Sequence, residues 1–344
     1  MPHILIDAPI PASTVERLRA LPGVSVTTVS ARPEHSPAID FPVELLRDVE
    51  IFVGNNPPRN HLELQSLKFV QLSSVGYAQL YKMELPKRGV RAANARGVYD
   101  TAIAEWNLGM MIALARDLRR MIRNQEHGVW EKIPRFANEI HGRVVGLWGY
   151  GGIGRETARL AKTLGMTIHA YARRGIQPRD GTFAAPGTGD PGGQLPDRVF
   201  TKGQEADFLR SVDFLILAMP LTPENRGLIG EAELRCLKPT AFVLNPARGA
   251  LIEEAALLKA LREGWFAGAA LDTHYYYPMP ADHPLWRFPN VIMTPHISGS
   301  DLGPHFANRM SDILLHNVHS YLTGQPLWNE LTAEELTPNE SSAH

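Results

Sequence analysis

Short apolar runs recur along this chain with room for a helix between successive runs. Those at residues 3–7, 24–29, 51–54, 68–73 and 90–93 have the length of buried strands, and a helix fits 14–20. From 101 to 127 the period changes. Ala104, Leu108, Met111, Ile112 and Ala115 fall on one stripe, which predicts a single long helix. Strand-like runs then return at Val144, Val145 and Leu147 and at 167–171, 214–218, 241–245, 267–271 and 291–293, before a last helix at 304–323. Strand alternating with helix implies parallel sheets with helices on both faces. The fold class expected is α/β, with two Rossmann-like doubly wound parallel-sheet domains and an active-site cleft between them.

Two stretches lack any period. Residues 175–198, GIQPRDGTFAAPGTGDPGGQLPDR, are rich in Gly and Pro and read as a long mobile surface loop. The polar run from Glu330, ELTAEELTPNESSAH, reads as a frayed tail.

One turn carries the most specific signal. In VVGLWGYGGIGRETARLAKTLG (144–165), Gly149, Gly151 and Gly154 form G-x-G-x-x-G between an apolar strand and a helix bearing Ala158, Leu160, Ala161 and Leu164. Gly149 permits the tight turn, Gly151 lets the backbone approach a pyrophosphate, and Gly154 lets helix and strand pack closely. The free N–H groups at the helix start favour an anion. Because the fingerprint lies mid-chain, its domain is expected as an insertion. Residues 101–296 would bind the dinucleotide, 1–100 plus 297–330 would form a discontinuous, flavodoxin-like substrate domain, and 331–344 a polar tail.

Composition narrows this only a little. The 344 residues suit two domains, and 44% apolar with 21% charged residues is a soluble, globular balance. A net charge of −1 gives no reason to expect nucleic acid or an anionic membrane as partner. Cys236 is the sole cysteine, so no internal disulfide can form, which fits a reducing compartment. Residues 1–13 read as a first strand rather than a signal peptide, and no run has membrane-spanning length, so the cytoplasm is the expected location. No metal is expected.

Candidate chemistry follows three strands. Arg248 lies in NPARG (245–249), where a planar guanidinium could take a carboxylate bidentately, though a helix-entry arginine would look the same. His296 lies in TPHISG (294–299) and could give or take a proton; with 13 histidines present, position rather than type singles it out. Asp272 ends the run 269–272 and could bond a nicotinamide amide, or simply serve as a loop acid or cap.

These motifs, in this order, resemble the D-specific 2-hydroxyacid dehydrogenase family, and the resemblance covers about residues 67–328. AANARG with Ile103-Ala104-Glu105 is similar to the family's hinge and first long helix, and MPLTPENRGLIG (219–230) to its segment after the fourth strand of the cofactor domain. The resemblance implies that Arg248 holds the substrate carboxylate and that Ser74, Val75 and Gly76 offer amides to its other side. It implies that His296 donates a proton to the 2-oxo oxygen while nicotinamide delivers hydride, and that Asp272 orients the nicotinamide. Cofactor contacts would come from Thr101, from Gly149, Tyr150, Gly151, Gly152, Ile153 and Gly154, from Met219, Pro220 and Thr222, and from Ala247, Ser298 and Gly299. A homodimer is also implied.

One departure stands out. The family's glutamate, five residues past the Asp272 position, pairs with the histidine; here Tyr277 stands there. A tyrosine can bond an imidazole but carries no negative charge near neutral pH, so His296 is expected to titrate lower than in glutamate-bearing relatives. The stretch 278–286 resembles the formate dehydrogenase branch, but Tyr99 stands where that branch has an asparagine. Tyr77, Tyr99, Tyr275, Tyr276, Tyr277 and Trp286 could line a pocket for a larger 2-oxo acid or be ordinary aromatic packing. A catalytically weak, dinucleotide-sensing corepressor also remains open. Finally, the strand after the fingerprint helix ends in Ala172-Arg173-Arg174 with no acid to bond a ribose 2′-OH. An arginine fork suits a 2′-phosphate, so NADP is favoured over NAD.

Overall fold

The computed structural model describes residues 1–29, 37–299 and 303–337. The chain divides into two compact units: Met1–Val98 with Asp180–Ala185 and Asp301–His344, and Tyr99–Arg179 with Pro186–Ser300.

The first unit opens with β1 (His3–Asp7), α1 (Ala12–Arg19), β2 (Ser25–Thr28), α2 (Val43–Leu46), β3 (Val49–Gly54), β4 (Phe69–Leu72) and β5 (Arg91–Ala93). The strands form a parallel sheet in the order β2-β1-β3-β4-β5. Its inner strands β1, β3 and β4 are largely apolar and buried because both faces are covered, whereas the edge strand β2 (Ser25–Thr28) is polar and half-exposed. Leu5, Phe52, Val70 and Ala92 belong to the core on one face, Ile4, Ile51, Val53 and Phe69 to that on the other. Each of the fully buried Leu, Ile, Val and Phe side chains contributes about 1.5–3 kcal/mol.

The second unit holds α3 (Asp100–Ala115), α4 (Leu118–Glu126), β6 (Val144–Trp148), α5 (Gly152–Thr163), β7 (Thr167–Tyr171), β8 (Arg198–Phe200), α6 (Glu205–Ser211), β9 (Phe214–Leu217), α7 (Glu231–Arg235), β10 (Phe242–Asn245), α8 (Glu254–Glu263), β11 (Gly268–Leu271) and β12 (Val291–Met293). The chain returns to the first unit with α9 (Pro304–Thr323). The seven strands are parallel in the order β12-β11-β10-β9-β6-β7-β8. The order reverses between β6 and β9, and in open α/β sheets ligands bind outside the strand ends at such a switch point.

Three expectations need correction. The single helix over 101–127 is two helices, because Asp117 turns left-handed (φ 52°). A short acid tolerates that conformation, and Asp117 is fixed there by Arg135, which donates from its backbone N (3.0 Å) and from Nη2 (2.9 Å). The loop 175–198 is tied down by hydrogen bonds rather than left unanchored. Asp190 accepts from the Gln194 and Leu195 amides and from the Tyr150 hydroxyl (2.7 Å), and the Glu156 carboxylate accepts from Gly189 N. Within it, Asp180–Ala185 belong to the first unit, where Phe183 is buried and bonded to Asn329. The polar tail is also partly ordered. Leu331 and Leu336 enter a core, and Arg96 pairs with Glu335. The remainder of that tail, 338–344, lies outside the described residues.

Candidate active site

The glycine turn is shaped by close backbone approach. Gly149 has φ 102°, and a Cβ there would lie 2.5 Å from the Ala218 carbonyl. A Cβ on Gly154 would lie 2.5 Å from the Gly149 carbonyl, whereas Gly151, capping α5, faces open space. Gly149 and Gly154 therefore let β6, β9 and α5 converge, and Gly151 leaves the helix start accessible. That geometry fits a dinucleotide pyrophosphate.

The other expected cofactor residues flank this turn. Met219 packs beside Gly149, Thr222 N donates to Asn225 Oδ1, and the Asn225 amide bonds Pro220 O. Thr101 lies in the first turn of α3, Ile153 in the first turn of α5, and the Tyr150 ring is buried. Burial, then the Asp190 carboxylate, push the Tyr150 hydroxyl above its ordinary range. Past β7, Arg173 and Arg174 are exposed, with no ion pair given to either among the described residues. The strand's last side chain, Tyr171, donates to Glu205 (2.5 Å).

The ends of β10, β11 and β12 are tied into one network. Asn245 Oδ1 accepts from the Ala247 and Arg248 amides, and its Nδ2 donates to Arg248 O (2.8 Å), which presents the exposed Arg248 side chain. Asn245 O accepts from Asp272 N (3.1 Å). The Asp272 carboxylate is fully buried. One oxygen accepts from the Thr294 hydroxyl (2.6 Å) and Ile297 N (2.9 Å), the other from Ser298 N (3.0 Å) and the Ser298 hydroxyl (2.5 Å). Its lone pairs are thus taken up inside the chain, and the 294–298 turn is anchored to β11. His296 rides on that turn. It is exposed, left-handed at φ 58°, and its N–H donates to Asp272 O (2.8 Å). A non-glycine residue at positive φ persists only where its surroundings impose it, as this network does. Gly299 follows, its backbone against the Tyr99 ring.

The Tyr277 ring lies 5.6 Å, centroid to centroid, from the His296 ring, tilted by 53°. The Tyr277 hydroxyl accepts from His274 N (3.1 Å). His274 donates through Nε2 to Thr294 O (2.8 Å), which leaves its Nδ1 a bare acceptor, buried and unpartnered among the described residues.

In the first unit, the loop after β4 has its carbonyls occupied and its amides spared. Ser74 O, Val75 O and Gly76 O accept from Ala95 N, Asn94 Nδ2 and the Ser74 hydroxyl. The Val75 and Gly76 amides donate to no group given among the described residues. Gln79 Nε2 holds the loop from below, bonding Asn55 O and Ser74 Oγ.

Sequence reasoning missed the residues that act through others. Asn245 fixes Arg248, His274 joins Tyr277 to Thr294, and Arg155, Glu156 and Asp190 order the long loop. The readable signal was only their type, ionisable or amide side chains beside predicted strand ends and inside a Gly-rich run.

Residues 108–298 match the family described as D-isomer specific 2-hydroxyacid dehydrogenase, NAD binding domain. The chain belongs to that family. It is 33% identical over 264 residues to a glyoxylate reductase of Thermofilum pendens, covering 76% of this chain and 73% of the relative. It is 30% identical over 335 residues to a glyoxylate reductase of Thermococcus gammatolerans, covering 94% of each. Among solved structures, a D-isomer specific 2-hydroxyacid dehydrogenase family protein from Aeromonas salmonicida matches with TM-score 0.77 at 25% identity, over 96% of this chain and 99% of that one. This dehydrogenase is therefore an oxidoreductase of the 2-hydroxy acid class and uses a nicotinamide dinucleotide. None of its described helices is long and apolar enough to cross a membrane.

Proposed function

We propose that this dehydrogenase reduces a small 2-oxo acid to its D-2-hydroxy acid. One observation carries the reading: a buried carboxylate, Asp272 at the end of β11, fixes the turn that follows β12 and bears an exposed histidine, while its backbone N–H bonds the end of β10, which presents an exposed arginine. A reduced nicotinamide held at the glycine turn Gly149–Gly154 would supply the hydride for carbon 2. Arg248 grips the substrate carboxylate with its planar fork. His296 donates the proton that the carbonyl oxygen takes up and recovers it in the reverse direction. Asp272 acts through the His296 turn, since its own acceptor positions are filled. A retained Arg248 and an anchored His296 favour turnover over a purely sensing role.

For the cofactor we favour NADP. Arg173 and Arg174 are exposed after β7, and the acid near that strand end, Glu205, accepts the Tyr171 hydroxyl. A homodimer is supported by an apolar surface running from α4 into the following segment, where Ile122 is 55%, Trp130 89% and Ile133 78% exposed. The lone cysteine favours the cytoplasm.

The test is turnover of glyoxylate, hydroxypyruvate and phenylpyruvate with NADPH and with NADH. We expect turnover of at least one acid, with a lower KM for NADPH. No turnover of any 2-oxo acid would sink the reaction, and a clear NADH preference would sink the cofactor assignment alone.

A further inference from the structure

We infer that Arg179, carried by the segment after β7, is a binding residue for the dinucleotide pyrophosphate; this rests on the reading that a dinucleotide binds at the glycine turn. Gly152 opens α5, and a Cβ there would overlap Asp100 Oδ2 and Arg179 Nη1. Those two side chains, ion-paired at 3.1 Å and mostly buried, therefore lie directly against the first residue of the helix. Arg179 thus brings guanidinium donors to the helix end where the N–H groups favour an anion, its charge balanced in the free protein by the Asp100 carboxylate, which lies nearer still to Gly152. A guanidinium has five donors in a planar fork, so it can bond a carboxylate and a phosphate together. In this arrangement Asp100 orients the fork.

What holds Arg179 there supports the assignment. Its own N–H donates to Pro191 O (2.9 Å). On either side of it Arg155, 5% exposed, donates from Nη2 to Gln177 O (2.5 Å) and from Nη1 to Asp190 O and Pro191 O. Glu156 and Asp190, also buried, bind the same segment. Buried charges are an expensive way to order a loop, because each must be fully bonded to offset its desolvation. Here three of them serve a stretch with few apolar contacts, and the side chain they deliver to the helix start is Arg179.

The experiment compares Arg179→Ala, Arg179→Lys and the unaltered protein by calorimetric titration with ADP-ribose and with adenosine, which lacks the pyrophosphate, alongside thermal melting without ligand. The unaltered protein binds ADP-ribose. Arg179→Ala is expected to weaken ADP-ribose by about tenfold or more and to leave adenosine within about twofold, while melting below the parent because it strands the Asp100 carboxylate; Arg179→Lys should recover part of both losses. Unchanged or tighter ADP-ribose binding in Arg179→Ala overturns the inference. So does an equal loss for both probes, which makes Arg179 a scaffold of the loop. Failure of the unaltered protein to bind ADP-ribose overturns the dinucleotide reading itself and the inference with it.

Discussion

Two irregular segments of the chain are held by buried carboxylates, and they are held differently. The turn at 294–298 is short, and Asp272 reaches it from the neighbouring strand with four side-chain bonds, to which His274 and Trp106 add one each at Thr294. The segment between β7 and β8 is long, and Asp190 closes only one bend of it. Arg155, Glu156 and the Tyr150 hydroxyl must reach it from the glycine turn and α5. A short turn at a strand end inherits most of its order from the sheet. A long excursion needs an anchor for nearly every bend, and its order is correspondingly more exposed to single substitutions.

The largest effect separates chemistry from scaffolding. His296→Ala should lower kcat for 2-oxo acid reduction by about 10²- to 10⁴-fold with melting temperature and ADP-ribose affinity unchanged. A loss below tenfold would remove His296 from proton transfer. Asp272→Ala should cost both, a similar fall in kcat and about 3 kcal/mol or more of stability, since it strips four bonds from one turn. If kcat survives, the turn does not depend on its anchor and the contrast drawn above collapses.

Asp190→Ala is expected to cost about 2–4 kcal/mol in denaturant unfolding and to weaken ADP-ribose, with kcat at saturating cofactor little altered. An unchanged midpoint would mean the loop's other anchors suffice. The same carboxylate predicts an acid response. Burial alone would raise its pKa, but the Leu195 and Gln194 amides and the Tyr150 hydroxyl outweigh that and hold it below the usual range. A depressed folded pKa contributes stability that is present above the unfolded value and disappears as pH falls through the folded one. Melting temperature should therefore drop as pH falls below about 4, the ordinary carboxylate value, more steeply in the parent than in Asp190→Asn. Parallel curves would deny Asp190 that role.

The smallest effect concerns Tyr277. With no carboxylate in that place to favour the imidazolium, the rate of reduction should fall earlier with rising pH than in glutamate-bearing relatives, and Tyr277→Glu should move the fall upward by about one pH unit. A profile already like theirs, and unmoved by Tyr277→Phe, would refute the assignment.

The contrast also explains what could be read from the sequence. β-strands, the glycine turn, Arg248 and His296 were legible because apolar runs and strand ends announce themselves locally. The break at Asp117 was not, because the Arg135 that fixes it lies 18 residues on and outside any period. Nor was the order of the long loop. Its apolar content is low, and the bonds that fix it come from Tyr150, 40 residues from Asp190, and from Arg155, 22 from Gln177. Tyr277 was placed beside His296 by resemblance, and the two rings are neighbours, but the bond from His274 N to its hydroxyl depends on a turn no pattern encodes.

The short excursion Asp180–Ala185 has a consequence for how the protein can be divided. Its chain passes between the units four times, after residues 98, 179, 185 and 300, rather than the two times of a simple insertion. A fragment spanning 99–300 would keep all seven strands of its sheet but would carry Phe183 stripped of Asn329 and of the Trp328 ring. A fragment lacking those residues would leave Asn329 and Gly97 facing solvent where a backbone now packs. Neither half is a clean module, so exchanging cofactor domains between relatives would require moving this hexapeptide with the domain it packs in, not with the one that precedes it in sequence.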